Sequence, residues 1–178
     1  MPFAVEMYMD SDTEARVRRI WTQFASAGVK SSMLDAGYRP HISLGVCEEL
    51  DVEGLGRRLS VFAKASAPFA LTLSSIGLFP QAGVVFLGVV VTRRLLEVHA
   101  AFHSFFGEYA KAMREHYLAD AWIPHCTLAF DLPSAVMPKA IEICLGERLP
   151  VYSRVEEIGI AEVSPSRAEI LWVHRLIS

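Results

Sequence analysis

A peptide of eight residues that occurs twice constrains this chain more than any other feature. Arg39-Pro40-His41-Ile42-Ser43-Leu44-Gly45-Val46 returns as Ile123-Pro124-His125-Cys126-Thr127-Leu128-Ala129-Phe130, with the two histidines 84 residues apart. Both copies read Pro-His-x-(Ser/Thr)-Leu-small-apolar, and each falls where the local pattern favours a compact strand. Alternate residues of a strand share a face, so His41 and Ser43 point one way while Ile42 and Leu44 point the other. His125 and Thr127 are set against Cys126 and Leu128 in the same manner. Each strand therefore has an apolar face for a core and a second face bearing an imidazole and a hydroxyl. A duplicated half-domain, related by a pseudo-twofold axis, predicts that these two polar faces meet across a cleft, with Ile42 and Cys126 buried behind them.

Strands and helices alternate along the rest of the chain. Ala4 to Met9 reads as a strand, and Asp10-Ser11-Asp12 offers caps for a helix over Thr13 to Ala27, where Val17, Ile20, Trp21 and Phe24 line one side and Gly28 follows. After the first motif strand, His41 to Val46, a second amphipathic helix spans Asp51 to Ala65. Strands are expected over Phe69 to Leu78 and Val84 to Val91, joined by a turn at Phe79 to Gly83. The longest helix is expected over Leu95 to Leu118, with Leu95, Val98, Phe102, Phe105, Tyr109 and Met113 along one side. His125 to Phe130 is the second motif strand, and Pro138 to Leu145 a weaker helix. Two last strands, Ile158 to Val163 and Glu169 to Leu176, flank a Ser164-Pro165-Ser166 turn. No linker divides residues 1–178, so the reading is one α+β domain with mainly antiparallel pairing.

Composition removes several function classes. With 52% hydrophobic residues the chain can form a core without staples, and disorder is excluded. The longest apolar run, Ala82 to Val91, is half of the roughly 20 residues a membrane-spanning helix needs. The first ten residues lack the basic start and apolar stretch of a secretory signal, so a cytoplasmic protein is expected. Seventeen basic against twenty acidic residues leave a net charge of −3, which favours a small phosphate ligand over long duplex nucleic acid. Cys47, Cys126 and Cys144 have no paired spacing and read as reduced, buried thiols.

Two imidazoles and two hydroxyls in one cleft define a chemistry. An imidazole titrates at about 6.5, so a neutral ring can accept a proton while a charged partner gives one. The hydroxyls can donate to non-bridging phosphoryl oxygens and hold phosphorus in line between the rings. That set suits a phosphodiester, above all a strained cyclic one, with no metal and no cofactor required. The pair of motifs resembles the His-x-(Ser/Thr) signatures of the two-histidine (2H) phosphoesterases, the superfamily of 2′-5′ RNA ligase-like proteins and cyclic phosphodiesterases. Ser75-Ile76-Gly77-Leu78-Phe79-Pro80, the strand after it and the long helix from Arg93 are similar to the middle segment of that family. The resemblance implies a bilobal fold, with antiparallel sheets lining a central water-filled cleft and helices outside. It implies a phosphodiesterase acting on a 2′,3′-cyclic phosphate or a 2′-5′ linkage in a small nucleotide or a short RNA end, with ligation as the reverse reaction. A non-catalytic nucleotide-binding module on the same fold is the alternative. His41 and His125 are the expected acid–base pair, and Ser43 and Thr127 the expected phosphate ligands.

Residues beside the motifs complete the candidate set. Arg39 keeps a basic residue before the first Pro-His and could meet a phosphate, whereas the second copy has Ile123 there, which argues against long RNA. Tyr38 and Trp122 could stack on a base. Strand alternation turns Cys126 away from the cleft, against a cysteine nucleophile. His99 and His103, four residues apart on one helix, could chelate a metal but lack the glutamate of a metalloprotease helix and read as a solvated or packed helix face. His116 and His174 stand alone and are expected to have no role.

Overall fold

The structure, a computed structural model, describes residues 1–30 and 32–177. Its elements in chain order are β1 (Phe3–Met9), α1 (Ser11–Ser26), α2 (Ser32–Asp35), β2 (His41–Leu50), α3 (Val52–Lys64), β3 (Phe69–Phe79), β4 (Val84–Val89), α4 (Arg93–Phe106), β5 (Ala110–Met113), β6 (His125–Ala129), α5 (Met137–Leu145), β7 (Val151–Ser164) and β8 (Arg167–Arg175). Side-chain caps start three of the helices. The Thr13, Gly54 and Leu95 N–H groups donate to the side chains of Asp10, Asp51 and Thr92 at the heads of α1, α3 and α4.

The fold is α+β and every strand pairing is antiparallel. The strands join into one sheet in the order β5-β2-β1-β7-β3-β4-β6, with β8 also on β7. The joint is β7. Its first residues, Val151 to Val155, pair with β3, its remainder from Glu157 pairs with β8, and β1 runs along its other edge. A single 14-residue strand therefore joins the β1–β2 side of the sheet to the β3–β4 side. The sequence reading saw only the second of these stretches. In the first, Val151, Ser153 and Val155 are buried while Tyr152 and Arg154 are exposed, which is the alternation of a strand with one face on the core.

The two motif strands repeat in register as well as in sequence. In the β1–β2 pair Tyr8 faces His41, Met7 faces Ile42, Glu6 faces Ser43, and Leu44 is skipped before Val5 faces Gly45. In the β4–β6 pair Gly88 faces His125, Leu87 faces Cys126, Phe86 faces Thr127, and Leu128 is skipped before Val85 faces Ala129. A bulge thus falls at the same motif position in both halves, with the skipped leucine fully buried each time. Helix α4 packs its phenylalanines against β2, where Gly45 admits the rings of Phe102 and Phe106. Helix α3 lies on β7 and β8, and α1 packs on β6 and α5.

One element departs from the sequence reading. The helix expected to reach Leu118 ends at Phe106, with Gly107 as its cap. Ala110 to Met113 instead form edge strand β5 on β2, pairing Cys47 with Met113 and Leu50 with Ala110. Tyr109 and Met113 continue the helical apolar spacing, but their partners lie on the sheet. A short 3-10 turn at Glu115–Tyr117 follows and carries the chain across the front of the motif strands.

Candidate active site

In both motifs the proline and its predecessor fix the histidine ring. The Arg39 carbonyl lies 2.7 Å from His41 Nδ1 and the Ile123 carbonyl 2.6 Å from His125 Nδ1. A carbonyl oxygen can only accept, so Nδ1 is the protonated nitrogen in each ring and Nε2 is left to act. Strands β2 and β6 lie against one another. Ile42 and Cys126 are completely buried, as their alternation predicts.

His41, Ser43, His125 and Thr127 all line one cavity of about 380 Å³. Tyr38, Phe79, Phe130, Arg114, His116, Tyr117 and the carboxylate of Glu6 line it with them. The volume is within the range of small-molecule sites, roughly 300–1,000 Å³. The two imidazoles differ in setting. His125 is packed by Phe79 and Phe86, each with its ring centroid 5.0 Å away, and burial holds its pKa below the ordinary value, aided by the charges of His41 and His116. His41 is almost buried, has the Tyr38 ring stacked on it at 5.9 Å, and turns Nε2 toward Glu6 Oε1 at 3.4 Å. Burial pushes the Tyr117 hydroxyl up, opposed by Arg114 and by the side chain of Ser43.

Three neighbours of the motifs fare differently. Tyr38 reaches the cavity, its hydroxyl donating to the Ser164 carbonyl at 3.1 Å. Arg39 does not line it. The Arg39 guanidinium lies 2.6 Å from Glu14 and 2.7 Å from Glu157, and sits over the Tyr8 ring at 4.2 Å, so its charge is spent inside the fold rather than on a ligand. Trp122 also lies off the cavity wall. One face is covered by His99 at 4.1 Å, nearly parallel, and its Nε1–H donates to the Ser43 carbonyl at 3.0 Å. It supports the motif strand instead of offering a platform for a base. Nε2 of His99 bonds the Tyr117 carbonyl and Nε2 of His103 the Leu44 carbonyl, both at 2.9 Å. Among the described residues no group of three or more His, Cys, Asp or Glu side chains could hold a metal ion.

His116, expected to stand alone, is exposed and lines the cavity with His125, and its charge adds to the lowering of the His125 pKa. Arg114, His116, Tyr117 and Glu6 are among the cavity residues that sequence reasoning missed. The first three lie in the stretch read as helix, and Gly107 was the stop signal that could have freed it for another role. Nothing near Glu6 in the sequence marks it, because only strand pairing brings it to His41.

Comparison with solved structures finds the same fold in other proteins. A crystal structure described as a phosphoesterase superposes with a TM-score of 0.62 at 18% identity, covering 99% of this chain and 98% of that one. Escherichia coli LigT complexed with 3′-AMP gives a TM-score of 0.61 at 18% identity, with the same coverage. TT0787 of Thermus thermophilus gives 0.59 at 19% identity, covering 99% and 98%. The model of the 2′-5′ RNA ligase superfamily matches residues 9–165, and the chain belongs to that family. No curated protein matches it by sequence. No helix among the described residues is long and apolar enough to cross a membrane.

Proposed function

We propose that the protein is a metal-independent phosphodiesterase that opens 2′,3′-cyclic phosphates or cleaves 2′-5′ linkages in small nucleotides or short RNA ends. The observation that carries this reading is the quartet around one cavity, with each imidazole held by a carbonyl on Nδ1 so that Nε2 is the working atom. The residues 1–178 act as one domain of two pseudo-symmetric lobes, each lending one His-x-(Ser/Thr) strand. In hydrolysis a water oxygen attacks phosphorus, and its proton passes to the Nε2 of the neutral imidazole. The bond from phosphorus to the leaving ribose oxygen breaks, and that oxygen takes a proton from the other ring. Ser43 and Thr127 donate to the non-bridging oxygens, whose charge grows in the transition state. Run backwards, the same steps join an RNA end.

The ligand class is supported by solved relatives of the same fold, since E. coli LigT has been seen with 3′-AMP, with ATP and with NADP+. A cavity of about 380 Å³ suits a nucleotide and not a duplex. The test is a panel of 2′,3′-cyclic and 2′-5′-linked nucleotides incubated with purified protein and EDTA, with product identity as the readout. Turnover should persist in EDTA. His41→Ala or His125→Ala should lower it about 10²–10⁴-fold with little change in affinity. Ser43→Ala or Thr127→Val should cost roughly 10²-fold. Nucleotide binding without turnover would make the protein a binding module instead, and near wild-type turnover in both histidine variants would move the chemistry elsewhere.

A further inference from the structure

The repeat brings His41 and His125 to equivalent places, but their surroundings break the symmetry at one position. Opposite Ser43 the partner strand carries Glu6; opposite Thr127 it carries Phe86. One half therefore sets a carboxylate beside its imidazole where the other sets a phenyl ring. Glu6 is only 2% exposed. Its Oε2 accepts a hydrogen bond from the Tyr8 hydroxyl at 2.9 Å, while Oε1 has no hydrogen-bond partner and faces His41 Nε2 at 3.4 Å.

Proton placement follows from lone pairs. Both Nδ1 atoms must carry hydrogen to bond their carbonyls, so a neutral ring exposes a bare Nε2. At His125 that bare nitrogen is set among Phe79 and Phe86, which favour the uncharged form. At His41 a bare Nε2 would confront a bare carboxylate oxygen inside the protein, lone pair against lone pair. One proton between the two atoms turns this repulsion into a charge-assisted contact. The Tyr8 hydroxyl already donates to Oε2, which favours the carboxylate form of Glu6 and leaves the shared proton to the imidazole nitrogen.

The other groups around the pair do not remove this need. Arg39 acts on Glu6 only at a distance, because Glu14 and Glu157 already answer its charge. Tyr8 is held far above its ordinary pKa by burial and serves as a neutral donor. Burial also pushes Tyr38, stacked on His41, up to about 12, and Cys126 of β6 up to about 12, so both are neutral. Tyr117, raised by burial, is neutral too. His125 adds positive charge when protonated and so opposes double protonation of the site. Burial pushes the Glu6 carboxyl up, against the opposing influence of His41, Tyr8 and Arg39.

We propose that Glu6 is a positioning residue that keeps a proton on His41 Nε2 while His125 stays neutral, which makes His41 the general acid and His125 the general base. The words acid and base rest on the phosphodiesterase reading; the place of the proton does not. During hydrolysis the proton on His41 passes to the leaving ribose oxygen as the attacking water gives its own to His125, and exchange with solvent resets the pair.

The decisive experiment is an NMR titration of the protein carrying 15N-labelled histidine, with signals assigned through His41→Gln and His125→Gln. Near neutral pH His125 should be a neutral ring protonated on Nδ1, and His41 should carry hydrogen on both nitrogens. Glu6→Gln keeps the shape and removes the charge. It should lower the pH at which His41 gives up its proton by roughly one unit or more while moving His125 far less. In turnover the same variant should shift the alkaline limb of the pH–rate profile to lower pH, leave the acid limb in place and change KM little. If Glu6→Gln fails to fold, the wild-type titrations still decide: His41 losing its proton at or below the pH at which His125 does overturns the proposal. Distinct titrations in a protein that cleaves no phosphodiester would refute the function and leave the proton assignment standing. Turnover that needs both histidines, with titrations indifferent to Glu6, would do the reverse.

Discussion

Gly45→Ala tests how tightly the first motif strand is set against the helix behind it. A methyl group at Gly45 would lie 2.7 Å from Cε1 of Phe106 and 3.2 Å from Cε1 of Phe102. Unstrained carbon contacts sit near 3.5–4.0 Å, so the nearer ring must retreat by roughly 1 Å. It has nowhere to go. Both rings are fully buried, their centroids 4.6 Å apart and their planes tilted by 32°, and His103 ties α4 to β2 through the Leu44 carbonyl. Overpacking of this kind costs about 1–3 kcal/mol, offset by roughly 0.4–1 kcal/mol from the stiffer unfolded chain, since Gly45 does not use a left-handed conformation. The remainder, taken as at least about 1 kcal/mol at this contact distance, should lower Tm by roughly 2–8 °C in a chain of this size. Thermal unfolding followed by circular dichroism measures it. Gly45 lies two residues beyond Ser43, so turnover at a temperature where the variant is folded should also fall. An unchanged or raised Tm would refute the argument that the Phe102 and Phe106 rings of α4 are packed without room against β2 at Gly45.

Three further outcomes are expected. Burial holds His99, His103 and His125 below their ordinary pKa, so between the folded values and about 6.5 the unfolded chain binds more protons. The contribution of these three histidines to stability should be level above about pH 7 and fall as pH drops below roughly 6.5, and melting curves across that range should show a shallower fall in His99→Gln. Arg39→Ala should destabilise the fold by about 1–3 kcal/mol in denaturant titration, because Glu14 and Glu157 lose a shared, partly buried partner, while the affinity for nucleotide stays within about twofold. Burial pushes Cys47 up to about 11 and Cys126 and Cys144 up to about 12, so iodoacetamide near pH 8 should label no cysteine in the folded protein and all three in denaturant.

Much of the site was legible because it is local. A strand alternates faces whatever surrounds it, so His41 with Ser43, and His125 with Thr127, could be grouped from the sequence, and Ile42 and Cys126 set behind them. The helix α1 was equally plain, its buried Val17, Ile20, Trp21 and Phe24 recurring at the helical period. Periodicity failed where two structures share it: Tyr109 and Met113 continue the stripe of α4, yet the chain has left the helix and joined the edge of the sheet. Proximity to a motif also misled. Arg39 and Trp122 adjoin the two Pro-His pairs, but one turns to Glu14 and Glu157 and the other to His99 and the Ser43 carbonyl. What the sequence by itself determined is therefore the face each side chain shares with its neighbours two or four residues away. Only the tertiary structure decided what stands opposite that face. Whether an imidazole meets Glu6 or Phe86 depends on which strands pair and in which register, a choice made by the packing of the whole sheet and not by any stretch of chain.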